Sequence, residues 1–269
     1  MLKFILAALV LVTAWIGAMA WFQDELIFPT HAVAAPGPLP AGAERVSLTS
    51  PGGDLLHGVH IPPADSARRT RTLVVGFGGN AWNGEDVGSY LHEVYPDAHV
   101  VAFHYRGYRP STGRPSAEAL VADAPLVLDF AIDKVKPHRV VAAGFSIGSG
   151  VAASLAARPE LDGLILVTPF DSLKAVAKQL YPWLPVGPLF RHELDIVDFL
   201  DGTAVPVAII AAERDEIIPA DRTGALRKKA PNIVYDHVVP GAGHNDVYSR
   251  SDFQQAMREA LAAVTKRGN

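Results

Sequence analysis

Hydrophobic residues recur along the chain in short continuous runs that alternate with longer amphipathic segments. The short runs are rich in Val, Ile, Leu and Ala, which is typical of strands buried on both faces of a sheet. We predict strands over residues 45–49, 55–61, 72–76, 100–103, 139–143, 164–168, 205–212 and 233–239. We predict helices over residues 117–134, 147–157, 220–229 and 246–266. This alternation predicts an α/β fold, in which helices cover both faces of a mostly parallel sheet.

The amino-terminal segment, residues 1–23, has a different pattern. No residue from Phe4 to Phe22 is charged, and Lys3 precedes this run. A helix needs about 20 apolar residues to cross a bilayer, so the run predicts a membrane anchor. Ala18-Met19-Ala20 also fits a signal-peptide cleavage site, so a cleaved signal and a buried helix are the alternatives. Lys3 favours an amino terminus inside the cell, which places an anchored or exported domain outside the cytoplasm.

The rest of the chain divides into a linker and one domain. Residues 24–43 include a stretch rich in Pro, Gly and Ala and are predicted to be a linker, while residues 44–269 form the domain. Residues 169–204 interrupt the alternation of strands and helices, with Pro182, Pro185 and Pro188 among aromatic residues. We predict that they form an insertion over the carboxyl edge of the sheet, where ligands bind in open α/β folds.

The pentapeptide Gly144-Phe145-Ser146-Ile147-Gly148 joins the predicted strand 139–143 to an alanine-rich helix. A Gly-x-Ser-x-Gly sequence alone is a weak signal, but a strand before it and a helix after it are the context of a nucleophile elbow. The positive amino terminus of that helix stabilises a developing oxyanion. We therefore predict that Ser146 is a nucleophile, and the alternative is that it only caps the helix.

A serine hydroxyl needs a base to take its proton, and the base needs a group that orients it. Of the ten histidines, His244 lies in a glycine-rich loop between the last predicted strand and the last helix, so we predict it as the base. Asp215 follows the predicted strand 205–212 and is the predicted acid, with Glu213 and Glu216 as its rivals.

Backbone amides are expected to stabilise the oxyanion. We predict the N–H groups of Ile147 and Asn80 as the donors, since glycines beside Asn80 let the backbone approach a substrate closely. The residues predicted to bind the substrate are Gly79, Trp82, Tyr181 and Trp183. The three aromatic side chains suit packing equally well.

Composition narrows the function further. The chain has no cysteine, which excludes disulfides, thiolate metal sites and a cysteine nucleophile. Its net charge is -4 and it lacks clustered Lys and Arg, which argues against nucleic-acid binding. His57 and His60 face opposite sides of one predicted strand, so we predict no metal site, and we predict no cofactor. Arg106 is expected to form a structural ion pair, and Asp123 and Asp129 to lie on a solvated helix face.

Several motifs occur in a fixed order along the chain: Asp24-Glu25-Leu26-Ile27-Phe28-Pro29, Gly79-Asn80-Ala81, Tyr105-Arg106-Gly107-Tyr108, Ser111-x-Gly113-x-Pro115-Ser116, Thr168-Pro169-Phe170-Asp171-Ser172-Leu173 and Gly241-x-Gly243-His244-Asn245-Asp246. Together they resemble the Bem46 branch of the α/β-hydrolase superfamily, which includes the ABHD13-like and ABHD17-like hydrolases. The resemblance runs from about Gln23 to the last helix. It departs from the family at Gly78, where a His is usual, and at Arg109, which replaces a Gly.

The resemblance implies an α/β-hydrolase fold and a Ser-His-Asp serine hydrolase. Members of the family include esterases and thioesterases that act on lipidated proteins, so the chemistry is implied more firmly than the substrate. We predict cleavage of an ester or thioester through an acyl-enzyme intermediate, with a small-molecule or lipid-like acyl substrate. An amidase or peptidase of the same fold is the alternative.

Two other classes are disfavoured by the sequence. A non-catalytic binding protein has no need for an intact set of Ser146, Asp215 and His244. An NAD(P)-dependent oxidoreductase is suggested by Gly76-Phe77-Gly78-Gly79-Asn80-Ala81, which fits a dinucleotide-binding turn. No acidic residue ends the next strand to hold a ribose, however.

Overall fold

The computed structural model of the protein describes residues 1–65 and 71–266. Within these residues, eight strands form one sheet in the order β1-β2-β4-β3-β5-β6-β7-β8. The strands are β1 (Glu44–Thr49), β2 (Leu55–Ile61), β3 (Thr72–Phe77), β4 (His99–Phe103), β5 (Arg139–Phe145), β6 (Gly163–Val167), β7 (Val207–Ala212) and β8 (Ile233–Val239). β2 is antiparallel to both of its neighbours, and all other pairs are parallel. Each predicted strand is therefore present.

Helices cover both faces of this sheet, as the sequence predicts. The helices of the described residues are α1 (Leu2–Trp21), α2 (Gln23–Ile27), α3 (Gly84–Val94), α4 (Ala117–Val135), α5 (Ile147–Ala153), α6 (Leu173–Leu180), α7 (Val186–Leu189), α8 (Ile196–Leu200), α9 (Ala220–Lys229) and α10 (Ser251–Val264). Apolar side chains of α3 and α10 pack on one face, and those of α4, α5 and α9 pack on the other. Every residue of β6 and β7 is buried, which explains their continuous apolar sequences.

Several element boundaries differ from the predictions for identifiable reasons. β7 begins at Val207 rather than at residue 205, because Pro206 has no N–H to donate to a neighbouring strand. The last helix begins at Ser251 rather than at residue 246, because a 3-10 turn (Val247–Ser249) precedes it and the backbone of Arg250 is extended. The helix α3 was not predicted, because its glycines weaken the helical signal.

The prediction for Asp123 was wrong. This side chain is buried, and both of its oxygens accept hydrogen bonds from Arg106, at 2.7 Å from Nε and 2.6 Å from Nη2. Arg106 also contacts Asp54 at 2.9 Å, so its predicted structural ion pair is confirmed. Asp129 does lie on the exposed side of α4, where it pairs with Arg158. A half-buried arginine with two carboxylates ties α4 to the loop that follows β4.

The segment predicted as a linker packs against the domain. Phe28 is 1% exposed and belongs to the core beneath α4, and a short 3-10 turn (Thr30–Ala32) follows it. Between β6 and β7, the predicted insertion contains α6, α7 and α8. The segment around Phe28 is therefore packed against the domain, whereas α1 projects from it with most of its residues exposed.

Candidate active site

Ser146 occupies a sharp turn between β5 and α5. Its φ is 52° and its ψ is -119°, a strained conformation for a residue with a side chain. The glycines of the pentapeptide are required by close contacts. A Cβ atom at Gly144 would lie 2.1 Å from the carbonyl oxygen of Gly148, and one at Gly148 would lie 2.2 Å from that of Phe77. The Ser146 hydroxyl makes no capping bond to α5, so it is available for another partner.

That partner is His244. The Nε2 atom of His244 lies 3.0 Å from the Ser146 Oγ, and its Nδ1 lies 2.9 Å and 2.8 Å from the two oxygens of Asp215. A carboxylate only accepts hydrogen bonds, so Nδ1 carries the proton and Nε2 is left to accept the serine proton. His244 is 4% exposed, which shields this chain of hydrogen bonds from water.

The sheet brings these three residues together. They follow β5, β7 and β8, which are parallel, and the carboxyl ends of parallel strands meet at one edge of the sheet. Ser146 and His244 are 98 residues apart in sequence, and Asp215 and His244 are 29 apart. The contacts among them therefore depend on strand order rather than on any local motif.

The rival carboxylates hold the histidine loop instead of the imidazole ring. Glu213 accepts a hydrogen bond from the Gly241 N–H at 2.7 Å, and Glu216 accepts one from the His244 N–H at 3.0 Å. Asp215 also accepts bonds from the N–H groups of residues 217 and 218, which fix its carboxylate. The sequence reasoning missed the loop-holding role of both glutamates, although their position beside the candidate acid was a signal.

The loop after β3 lies beside the elbow. A Cβ atom at Gly79 would be 3.8 Å from the Ser146 Cβ. The Tyr105 hydroxyl donates to the Gly78 carbonyl at 2.8 Å, and the Tyr108 hydroxyl donates to the Asn80 carbonyl. These two bonds fix the peptide planes of the loop, a role that the sequence reasoning did not assign.

Both phenols remain donors over a wide pH range. Burial raises the pKa of Tyr105 and of Tyr108 above the ordinary value for tyrosine, because the charged form is poorly solvated inside the protein. On the other side of the elbow, Ile147 is the first residue of α5, and N–H groups in the first turn of a helix have no partner within the helix.

The predicted substrate-binding aromatics fall in two separate places. Trp82 contacts Phe145 and Tyr248, with ring centroids 5.2 Å apart in each pair, so it lies beside the elbow. Trp183 instead stacks on Trp15 of α1 at 4.8 Å, and Tyr181 packs edge-on against Trp183. The structure thus places Gly79 and Trp82 beside the turn that carries Ser146. It places Trp183, with Tyr181 packed on it, against the amino-terminal helix.

Metal ligation has no visible basis in the part of the chain that the structure describes. Among residues 1–65 and 71–266, no three His, Asp or Glu side chains are grouped so as to hold a metal ion.

Comparison with known proteins agrees with this architecture. A family described as the alpha/beta hydrolase fold matches residues 73–191. The uncharacterized protein Rv2307c of Mycobacterium tuberculosis is 32% identical over 252 residues, covering 90% of this chain and 88% of the relative. The lysophosphatidylserine lipase ABHD12 of Xenopus tropicalis is 28% identical, covering 61% of this chain and 50% of the lipase.

Solved structures show the same fold at lower identity. An alpha-beta hydrolase from Vibrio vulnificus has a TM-score of 0.72 and 18% identity, covering 90% of this chain and 92% of its own. The esterase Pf2001 of Pyrococcus furiosus has a TM-score of 0.66 and 17% identity, covering 86% of this chain and 95% of its own. With its eight-stranded, mostly parallel sheet and these relatives, the chain belongs to the α/β-hydrolase superfamily.

Proposed function

We propose that this hydrolase uses Ser146, His244 and Asp215 as a catalytic triad to cleave an ester or thioester bond. The observation that carries the proposal is the continuous chain of hydrogen bonds from the Ser146 hydroxyl through the buried imidazole to the Asp215 carboxylate. The strained elbow supports it further, because strain at a residue with a side chain is typical of a functional site.

The geometry supports a two-step acyl transfer. In the first step the Ser146 Oγ bonds to the substrate carbonyl carbon while His244 Nε2 takes the hydroxyl proton, and the carbonyl oxygen becomes an oxyanion. The N–H groups of Ile147 and Asn80 are the proposed donors to that oxyanion. The oxyanion then re-forms the carbonyl, and the leaving group departs with the proton from His244. In the second step water repeats the sequence on the acyl-enzyme, which releases the acid and restores Ser146.

Ester or thioester cleavage is preferred for the substrate class. Two relatives carry the names esterase and lysophosphatidylserine lipase, which support hydrolysis of carboxylic esters. Gly79 and Trp82 lie at the elbow and are the proposed contacts to the acyl group. The glycine-rich stretch of residues 76–81 lies beside Ser146, where it serves an oxyanion better than a dinucleotide. The Bem46 branch stays a prediction from the motifs.

The amino-terminal helix supports a membrane location. Residues Lys3–Trp21 form a helix that is long and apolar enough to cross a bilayer, although a signal sequence passes the same test. We propose that it is retained as an anchor, with the hydrolase domain outside the cytoplasm, as Lys3 favours. Determining the amino-terminal residue of the chain isolated from membranes tests this, and a terminus after Ala20 contradicts it.

Labelling with a fluorophosphonate probe tests the triad. Ser146→Ala is expected to abolish labelling and to lower turnover of 4-nitrophenyl esters by about 10³-fold or more, since the oxyanion donors remain. Ser154→Ala is the control, because this hydroxyl lies at the other end of α5 and bonds only the Val151 carbonyl. Full labelling of the Ser146→Ala protein would show that a different serine is the nucleophile.

A further inference from the structure

The insertion contains a stretch that is unusual for the surface of a protein in water. Residues 180–190, here called the insertion tip, contain no charged residue, while Lys178 precedes them and Arg191 follows them. The tip spans the end of α6 and all of α7. Four of its large side chains are exposed by 40% to 57%: Leu180, Tyr181, Trp183 and Leu189. An exposed apolar patch of this kind marks an interaction surface.

Polar contacts fix this tip to the end of α1. Gln23 begins α2, two residues after the end of α1, and is buried. Its Nε2 donates to the Leu189 carbonyl at 3.1 Å, and its Oε1 accepts from the Arg191 N–H at 2.9 Å. The carboxylate of the next residue, Asp24, accepts from Arg191 at 3.1 Å and from His192 at 2.8 Å. Because Gln23 and His192 are buried and these bonds satisfy them, the position of the segment after α1 relative to the tip is specified.

The tip extends back along α1 rather than away from it. Trp183 stacks on Trp15, with ring centroids 4.8 Å apart and planes inclined by 27°. Trp15 lies six residues before the end of α1 at Trp21, which corresponds to about 9 Å along the helix axis. A bilayer that accommodates the whole length of α1 therefore also surrounds the position of Trp183.

The contact between α1 and the tip leaves apolar space. A cavity of about 170 Å³ lies between them and is lined mainly by aliphatic side chains, including Ile16 and Met19 of α1 and Leu184 and Val186 of the tip. Empty apolar space forfeits van der Waals contacts. In a bilayer, the acyl chains of the surrounding lipids are the groups that fill this cavity.

We propose that the insertion tip is a second membrane-contact surface, which lies beside α1 in the outer leaflet of a lipid bilayer. The partner is the lipid itself: acyl chains contact the exposed side chains of the tip, with Trp183 about 9 Å inside the end of α1 and Leu189 nearer that end, beside Gln23. Lys178, at one end of the tip, extends toward lipid phosphates, while Arg191 at the other end pairs with Asp24. This surface rests on the proposed retention of α1 as a membrane anchor and is independent of the proposed chemistry at Ser146.

The absence of cysteine makes a direct test possible. Single substitutions Leu180→Cys and Leu189→Cys in the full chain are labelled with an environment-sensitive fluorophore, and the protein is reconstituted into phosphatidylcholine nanodiscs. Val234→Cys and Val238→Cys are matched controls, because these valines are 43% and 42% exposed and lie on β8, at the edge of the sheet. Emission is recorded with ordinary lipid and with nitroxide-labelled lipid.

We expect blue-shifted emission at positions 180 and 189 that nitroxide lipid quenches, and unshifted, unquenched emission at the two control positions. Equal quenching at all four positions, or none at 180 and 189, overturns the proposal. A blue shift at 180 and 189 without lipid quenching also overturns it, since protein, such as a second copy of the chain, then covers the tip.

Discussion

Two regions of this molecule are built in opposite ways. Around His244, the carboxylates of Glu213 and Glu216 accept hydrogen bonds from two backbone N–H groups of the loop. The His244 ring is almost fully buried between Ser146 and Asp215. The insertion tip has no charged side chain and exposes Tyr181 and Trp183. Gln23 and Asp24, just after α1, bond to Leu189 of the tip and to Arg191 behind it. Chemistry on a single bond requires atoms held within a fraction of an ångström, whereas contact with a fluid bilayer requires only an apolar surface at the right depth.

The largest expected effect is that of replacing Asp215, the proposed acid of the triad. Asp215→Asn is expected to lower kcat by about 10⁴-fold, because an amide that donates to Nδ1 leaves the proton on Nε2, where it blocks the transfer from Ser146. Steady-state kinetics on a short-chain ester measures this loss, and circular dichroism checks that the fold is retained.

Glu216→Gln is the matched comparison. The glutamine oxygen still accepts a bond from the His244 N–H, so only a small loss in kcat is expected. A mild Asp215→Asn combined with a severe Glu216→Gln contradicts the assignment of the acid.

A smaller effect is expected at the loop beside the elbow. Tyr108→Phe removes the donor to the Asn80 carbonyl, and the loss of such a hydrogen bond costs about 0.5–1.5 kcal/mol. We expect kcat to fall by roughly tenfold with little change in KM, as the proposed oxyanion donor moves. Tyr235→Phe is the control, because that hydroxyl bonds Glu259 on the surface. If both variants keep full kcat, Asn80 does not depend on this tyrosine.

The junction of α1 and the tip is expected to respond to acid. His192 is buried and donates to Asp24, while its Nδ1 accepts from the Ala117 N–H at 3.4 Å. Burial lowers the pKa of His192, and the nearby Asp24 carboxylate opposes this only in part. A lowered folded-state pKa means that the contribution to stability is present above the ordinary histidine pKa of about 6.5 and is lost as pH falls below it.

Hydrogen exchange at residues 189–192 should therefore speed up between pH 8 and pH 5, after correction for the intrinsic rate. His192→Gln keeps a donor for Asp24 without a titrating group, so its corrected exchange should be independent of pH. If both proteins show the same acceleration of exchange in acid, a group other than His192 causes it.

The smallest expected effect separates the tip from the chemistry. Trp183→Ser is expected to change kcat/KM for a short, water-soluble ester by less than about twofold, since exposed substitutions away from a site rarely exceed 0.5 kcal/mol. A tenfold loss shows instead that Trp183 lines the substrate site, as the sequence predicts. Trp82→Ser is expected to lower kcat/KM more than Trp183→Ser does, because the Trp82 ring packs on Phe145 beside Ser146.

The sequence by itself determined the features that depend on local patterns. Continuous apolar runs specify buried parallel strands, and each predicted strand is present. The pentapeptide around Ser146 specifies a turn between a strand and a helix, because its glycines alone fit the contacts of 2.1–2.2 Å that a side chain would meet there. These signals lie within a few residues of each other, so they can be read without knowledge of the rest of the chain.

Only the tertiary structure decided which distant groups share a space. The packing of the loops and helices around the sheet selects Asp215 rather than Glu213 or Glu216 for the imidazole, buries Asp123 against Arg106 and brings Tyr108 to the Asn80 carbonyl. The same is true of Trp183, which stacks on Trp15 near the start of the chain. The polar contact beside it joins Gln23 and Arg191, which are 168 residues apart. Such pairs leave no periodic trace in the sequence, because each depends on how separately formed elements pack together.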